Sequence, residues 1–282
     1  MIAITGATGQ LGQLVIAELL TRVAASQIVA IVRNPAKADA LRQQGIVVRE
    51  GDYNDPAALT AALQGVDKLL LISSSEVGKR ATQHRNVINA ARTAGVKFIA
   101  YTSLLHADTS PLGLHIEHVD TEKQLAASGI PYALLRNGWY TENYLASAPP
   151  AIEHGVFIGA AGDGKIASAT RADYAAAAAR VISEDGHAGK IYELAGDSAW
   201  TLSELAAALS KHSGKPVTYQ NLSEADFAAA LKGVGLPAPL ADMLADSDTG
   251  AAKGGLFDDS HTLSRLIGRP TTALEKSIER SL

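Results

Sequence analysis

The chain has 282 residues, 47% hydrophobic and 5% aromatic, and its 25 basic and 29 acidic side chains leave a formal charge of −4. That balance excludes the basic stripe of a general nucleic-acid binder, and the scarcity of rings excludes a broad stacking surface. With no cysteine at all, disulfides, thiolate metal sites and cysteine nucleophiles are excluded, so any electrons the protein handles travel on a bound molecule.

The chain opens on strand-like residues rather than a secretory leader, and no apolar run reaches about 18 residues. A cytoplasmic protein without membrane insertion is therefore expected. In chain order, β-rich runs fall at Ile2–Thr5, Ile28–Arg33, Val47–Glu50, Lys68–Ser73, Phe98–Ser103 and Tyr132–Arg136. Helical patterns lie between them, at Leu11–Leu20, Pro35–Gln43, Pro56–Leu63, His84–Ala94 and Ile116–Ala127. Asp55 followed by Pro56 reads as an N-cap with proline at the first helical position. Strand–helix–strand repetition of this kind builds a parallel sheet covered on both faces. The expected class is α/β: a Rossmann-like, doubly wound parallel sheet over 1–140, with a smaller C-terminal α/β lobe over 141–282. That lobe is expected to close over the sheet, with some of its segments returning to it.

Beyond Asn137 the rhythm changes. Pro149-Pro150 is expected to break the chain, and Phe157–Asp163 is rich in glycine. Helices are expected at Arg171–Ile182 and Leu202–Lys211, the second opened by the capping-box pattern Thr201-x-x-Glu204. A strand at Val217–Gln220 precedes a helix at Glu224–Leu231, and the small, polar stretch Ser247–Gly255 reads as a mobile loop. The alanine run Tyr174–Ala179 reads as a core-facing helix.

The sharpest feature is Thr5-Gly6-Ala7-Thr8-Gly9-Gln10-Leu11-Gly12, directly after the first strand. Gly6 permits a tight turn, Gly9 lets backbone approach a pyrophosphate, and Gly12 lets the helix pack against the strand. Gln10 and Leu11 would offer backbone N–H groups, and Thr8 a hydroxyl, at a helix N-terminus that favours phosphate. The second strand ends in Arg33 where an NAD pattern has an acidic residue. A guanidinium there suits a 2′-phosphate, so NADP(H) is the expected cofactor. For Asp52, after the third strand, two readings stay open: acceptor for the adenine amino group, or turn residue.

These residues, with Val32-Arg33-Asn34, Leu135–Asn143, Gly162–Ala167 and Arg171–Ala175, resemble the NmrA-like branch of the atypical short-chain dehydrogenases over nearly the whole chain. Through Leu70–Val77 and Phe98–Gly113 the chain is similar to the bacterial quinone-reducing members. The resemblance implies a flavin-free enzyme that passes hydride from NADPH to a quinone. Short-chain dehydrogenases usually pair a tyrosine with a lysine four residues later; here Lys123 is in place but Val119 replaces the tyrosine. Hydride addition to a quinone gives a stabilised aromatic hydroquinone anion, so loss of that acid is compatible with quinone reduction.

Lys123 is assigned to the nicotinamide ribose and, secondarily, to the developing oxyanion, against a plain surface lysine. Ser73, Ser74 and Ser75 follow the fourth strand at the carboxyl edge where such sheets hold ligands. Ser103 matches the family's serine position, or simply caps a turn. Asn137, Gly138, Trp139, Tyr140 and Asn143 are expected to frame nicotinamide and substrate, with His106 a quinone contact, a proton source or an ordinary loop histidine. His115-x-x-His118 with Glu117 lacks a third ligand and reads as a polar helix face rather than a metal site. Asp258-Asp259 reads as a solvated turn or a helix cap. Two other functions stay open: a dinucleotide-binding redox sensor without catalysis, and a reductase of another conjugated acceptor. Oligomeric state is not legible.

Overall fold

A computed structural model describes residues 1–282. The chain divides into two compact units: 1–104, 116–137 and 171–192 form the first, and 105–115, 138–170 and 193–282 the second. Strands β1 (Ile2–Ile4), β2 (Ile28–Val32), β3 (Val47–Glu50), β4 (Lys68–Leu71), β5 (Phe98–Leu104) and β6 (Tyr132–Asn137) alternate with helices α1 (Gln10–Leu19), α2 (Asp39–Gln43), α3 (Pro56–Ala62), α4 (Arg80–Ala94) and α5 (His115–Ala127). After them come α6 (Thr141–Leu145), α7 (Ala148–His154), β7 (Val156–Gly159), α8 (Arg171–Ser183), β8 (Ile191–Leu194), α9 (Leu202–Ser213) and β9 (Thr218–Asn221). Four helices end the chain: α10 (Glu224–Gly233), α11 (Ala238–Ala252), α12 (Thr262–Ile267) and α13 (Leu274–Ser281).

The main sheet has seven strands in the order β3-β2-β1-β4-β5-β6-β8. The pairings of β1 with β2 and β4, β2 with β3, β4 with β5, and β5 with β6 are all parallel. Strands β1, β2 and β5 are buried along their whole length, as central strands of a sheet covered on both faces must be. The chain steps from β1 outward to β3, then returns to β4 on the other side of β1. That reversal opens a crevice beyond the carboxyl ends of β1 and β4, where doubly wound sheets bind ligands. Helix α1 turns Leu11, Val15, Ile16 and Leu19 inward, an apolar stripe at helical spacing. Ala175 to Ala179 of α8 are all buried, and their small side chains let α8 lie close to α1. Asp55 caps α3 as its sequence predicts, accepting from the amides of Ala57 and Ala58 at 3.0 and 2.9 Å.

In the second unit, β7 and β9 pair parallel as a separate two-stranded sheet. The Thr201–Glu204 capping box forms at the start of α9. Two expectations are corrected here. Pro149 and Pro150 do not break the chain but occupy the first turn of α7, where a missing N–H costs nothing. Ser247–Gly255 is not a mobile loop: its first six residues complete α11, with Ser247, Asp248, Gly250 and Ala251 buried. Its small residues serve close packing, since a Cβ on Gly250 would come within 2.7 Å of Leu112.

Candidate dinucleotide site

The carboxyl ends of β1 to β4 surround a cavity of about 400 Å³. Its floor is the glycine turn. Gly6 has φ +59°, and its carbonyl accepts from Gly9 N–H at 2.9 Å. A Cβ on Gly12 would lie 2.3 Å from that same carbonyl oxygen and 2.9 Å from Ala7 Cα, so only glycine lets α1 start here. The first turn of α1 has neither an acidic residue nor a side-chain cap, leaving its N–H groups available to an anion. Thr8, Gly9, Gln10, Leu11 and Gly12 all line the cavity. This cradle fits a pyrophosphate.

The side walls come from β2, β3 and β4. Arg33 lines the cavity and is 73% exposed, with Nη1 3.8 Å from Glu76 Oε1. Glu76 also meets Lys79 Nζ at 3.1 Å, and its carboxyl is held below the usual range by its hydrogen bonds to Lys79 and Gln83. Asp52 lines the cavity, and its Oδ1 accepts from Asn54 N–H at 2.8 Å as a turn residue. Two residues that local patterns do not single out stitch the crevice together. Thr5 Oγ1 donates to Leu70 O at 3.2 Å and accepts from Ile72 N–H at 3.0 Å, joining β1 to β4 at the reversal. Tyr53 Oη donates to Ile72 O at 2.6 Å, and burial pushes its phenol upward.

Ser73, Ser74 and Ser75 also line the cavity, and Ser74 is fixed from behind by buried polar groups. Its N–H donates to His84 Nε2 at 2.9 Å, and its carbonyl accepts from Arg80 Nε. His84 Nδ1 meets Thr121 Oγ1 at 2.8 Å. His118 Nδ1 meets Tyr101 Oη at 2.7 Å and its Nε2 lies 3.5 Å from Arg80 Nη1. Burial, then the Arg80 charge, pushes His84 down to about 3 and His118 well below its ordinary value. His118 is thus a buried member of this cluster, correcting the polar-face reading of His115 and His118. His115 is half-buried and binds Ala107 O instead.

Other predicted residues lie outside the cavity. Ser103 Oγ donates to Glu122 Oε1 at 2.6 Å, and Arg136 binds the same carboxylate at 3.0 and 2.7 Å. Lys123 is exposed, about 200° around α5 from buried Thr121 and Leu125. Asn137 is buried, and its Oδ1 has no hydrogen-bond partner.

Gly138, Trp139, Tyr140, Asn143 and His106 belong to the second unit. There Trp139, Asn143, Tyr144, Phe157, Phe227 and Asp248 line a cavity of about 60 Å³. Burial pushes Asp248 up to about 6, although its Oδ2 accepts from Ala160 N–H at 2.9 Å. His106 sits at φ +51°, its N–H donating to Glu193 at 2.8 Å and its Nε2 3.4 Å from Asp258 Oδ2. Asp258 is mostly buried rather than solvated, and its Oδ1 accepts from Ser260 N–H at 2.9 Å.

The NmrA-like family model matches residues 1–280. The chain belongs to the NmrA-like family. It is 81% identical over 278 residues to quinone oxidoreductase 2 of Escherichia coli, covering 99% of this chain and 97% of that one. A crystal structure of an NADPH-dependent quinone oxidoreductase from Escherichia coli in complex with NADPH superposes with TM-score 0.98, at 80% identity over 99% of each chain. A triphenylmethane reductase from Citrobacter sp., complexed with NADP(H), matches over the full length of both chains at 43% identity and TM-score 0.96. Within this NmrA-like fold, the absence of a tyrosine at Val119 leaves α5 without the usual phenolic acid. The helix contributes Glu117, His118 and Thr121 to the support of the Ser74 loop instead.

Proposed function

We propose that this chain is a flavin-independent quinone oxidoreductase that uses NADPH for two-electron reduction. The observation that carries the reading is its 81% identity, across nearly the whole length, to a quinone oxidoreductase. The cradle geometry supports the cofactor: a glycine turn that admits a pyrophosphate and a guanidinium at the end of β2. NADPH supplies a hydride; with one proton from solvent, the quinone becomes a hydroquinone and the cofactor leaves as NADP⁺. The protein's part is to hold and orient. Backbone N–H groups of Gln10, Leu11 and Gly12 receive the pyrophosphate, and Arg33 exchanges its exposed contact with Glu76 for the 2′-phosphate. Ser73 to Ser75 form the wall beside it. We assign the acceptor to the ring-bearing segment Trp139, Tyr140 and Asn143, with His106 as a further contact; what supports this is the concentration of rings there in a ring-poor chain.

The test is NADPH oxidation by flavin-free protein, followed by loss of absorbance with a panel of benzoquinones and naphthoquinones. Quinone-dependent turnover with hydroquinone as product is expected. Tight NADPH binding without turnover on any quinone would instead identify a dinucleotide sensor.

A further inference from the structure

We propose that His84 and Arg80 are positioning residues that clamp both main-chain polar groups of Ser74, and so set the wall of the dinucleotide cavity. The inference rests on the assignment of that cavity to NADPH. Ser74 lines the cavity, yet its N–H and carbonyl both point away to buried partners on α4. Because Ser74 N–H donates to His84 Nε2, that nitrogen carries a lone pair and the ring proton sits on Nδ1. Nδ1–H then donates to Thr121 Oγ1 at 2.8 Å, and the threonine hydroxyl donates onward to Glu117 O at 2.9 Å. Every link has one possible direction, so the chain from Ser74 to α5 fixes a single tautomer and ring orientation.

The carbonyl side is fixed by the same logic. Arg80 can only donate, so His118 Nε2 accepts and His118 Nδ1–H faces Tyr101 Oη at 2.7 Å. Glu117 Oε1 accepts from the amides of Gly78 and Arg80 at 3.0 and 3.1 Å, holding the segment that carries Arg80 against α5. His84, Thr121 and Tyr101 are fully buried, and Arg80 and His118 nearly so. Both histidines stay neutral, which the direction of these bonds requires. Losing one bonded member of such a buried network leaves its partner without a bond.

The experiment compares His84→Leu, which removes the acceptor, with His84→Gln, whose amide oxygen can replace Nε2. Thr121→Val is the milder variant, keeping volume while freeing the ring proton of His84. Two readouts are taken: amide hydrogen exchange of 71–78 in cofactor-free protein, and NADPH dissociation and Michaelis constants. His84→Leu should speed exchange at Ser74 and raise both NADPH constants about tenfold, the factor carried by one lost net hydrogen bond. The maximal rate at saturating NADPH should stay within about twofold, and His84→Gln should recover most of the loss. Thr121→Val should fall between them, and it decides the matter if His84→Leu does not fold. Unchanged exchange in His84→Leu and Thr121→Val would overturn the clamp whatever the cofactor is. Faster exchange with unchanged NADPH constants would overturn its role in binding. Failure of the unaltered protein to bind NADPH would instead refute the cofactor assignment, leaving the exchange result to judge the clamp.

Discussion

Acid should weaken this protein through His84, and the amount can be worked out. The imidazole is buried beside Arg80, and burial followed by that charge takes it from 6.5 in the unfolded chain to about 3 when folded. Between those values the unfolded chain holds a proton that the folded chain refuses. Stability is therefore complete above about pH 6.5 and is lost as pH falls through the window toward 3. From pH 7 to pH 5 the unfolded state gains about 2 kcal/mol from this one group, at about 1.4 kcal/mol per unit once the unfolded imidazole is charged. His118 acts in the same direction, again through burial and then Arg80. Asp248 acts oppositely: raised from 3.8 to about 6, it binds a proton when folded and offsets about 1 kcal/mol over the same interval. The assay is urea unfolding at pH 7, 6 and 5, followed by circular dichroism, for the unaltered protein and His84→Gln. The glutamine variant starts from its own baseline but should lose about 2 kcal/mol less between pH 7 and pH 5. With a urea slope of about 3 kcal/mol per molar, that difference is about 0.7 M in midpoint. Parallel loss in the two proteins would show that His84 does not titrate on unfolding, and would refute the neutral buried imidazole.

Other outcomes follow from the cavity and the caps. Arg33→Ala should raise the Michaelis constant for NADPH by about tenfold or more while leaving that for NADH nearly unchanged, because only NADPH carries the 2′-phosphate. Equal effects on both cofactors would place Arg33 elsewhere. Gly12→Ala should abolish NADPH binding measured by equilibrium titration, because the new Cβ falls 2.3 Å from Gly6 O at the point where α1 meets the turn. Asp55→Ala should cost about 1 kcal/mol in urea unfolding, with NADPH binding preserved, since it removes two capping bonds on exposed backbone.

The glycine turn, the alternation of strands and helices and the Asp55 and Thr201 caps are legible in the sequence because each is set by neighbours within a few residues. Gly6, Gly9 and Gly12 need only the strand before them and the helix after them to acquire meaning. The groups that shape the walls are different. Thr5 meets Ile72, Tyr53 meets Ile72 and His84 meets both Ser74 and Thr121, and each contact depends on the β1–β4 reversal and the packing of α4 against α5. Nothing near His118 in sequence shows that it turns inward to Tyr101; its spacing from His115 suggested a polar face. The error at Ser247–Gly255 has a physical source too. Small residues serve both loops and close-packed helices, and only Leu112, far away in sequence, shows which applies.

The two kinds of residue also divide the chemistry. An anionic cofactor needs positive potential, and two histidines beside the cavity could be taken for its source. The direction of their hydrogen bonds rules that out, because each uses a lone pair as acceptor and is neutral. Positive potential comes instead from permanent sources: the first turn of α1, the Arg33 guanidinium and the buried Arg80 charge behind Ser74. The histidines contribute geometry, holding Ser74 where the cavity wall needs it, and acid removes that contribution by destabilising the fold rather than by altering the charge that faces the cofactor.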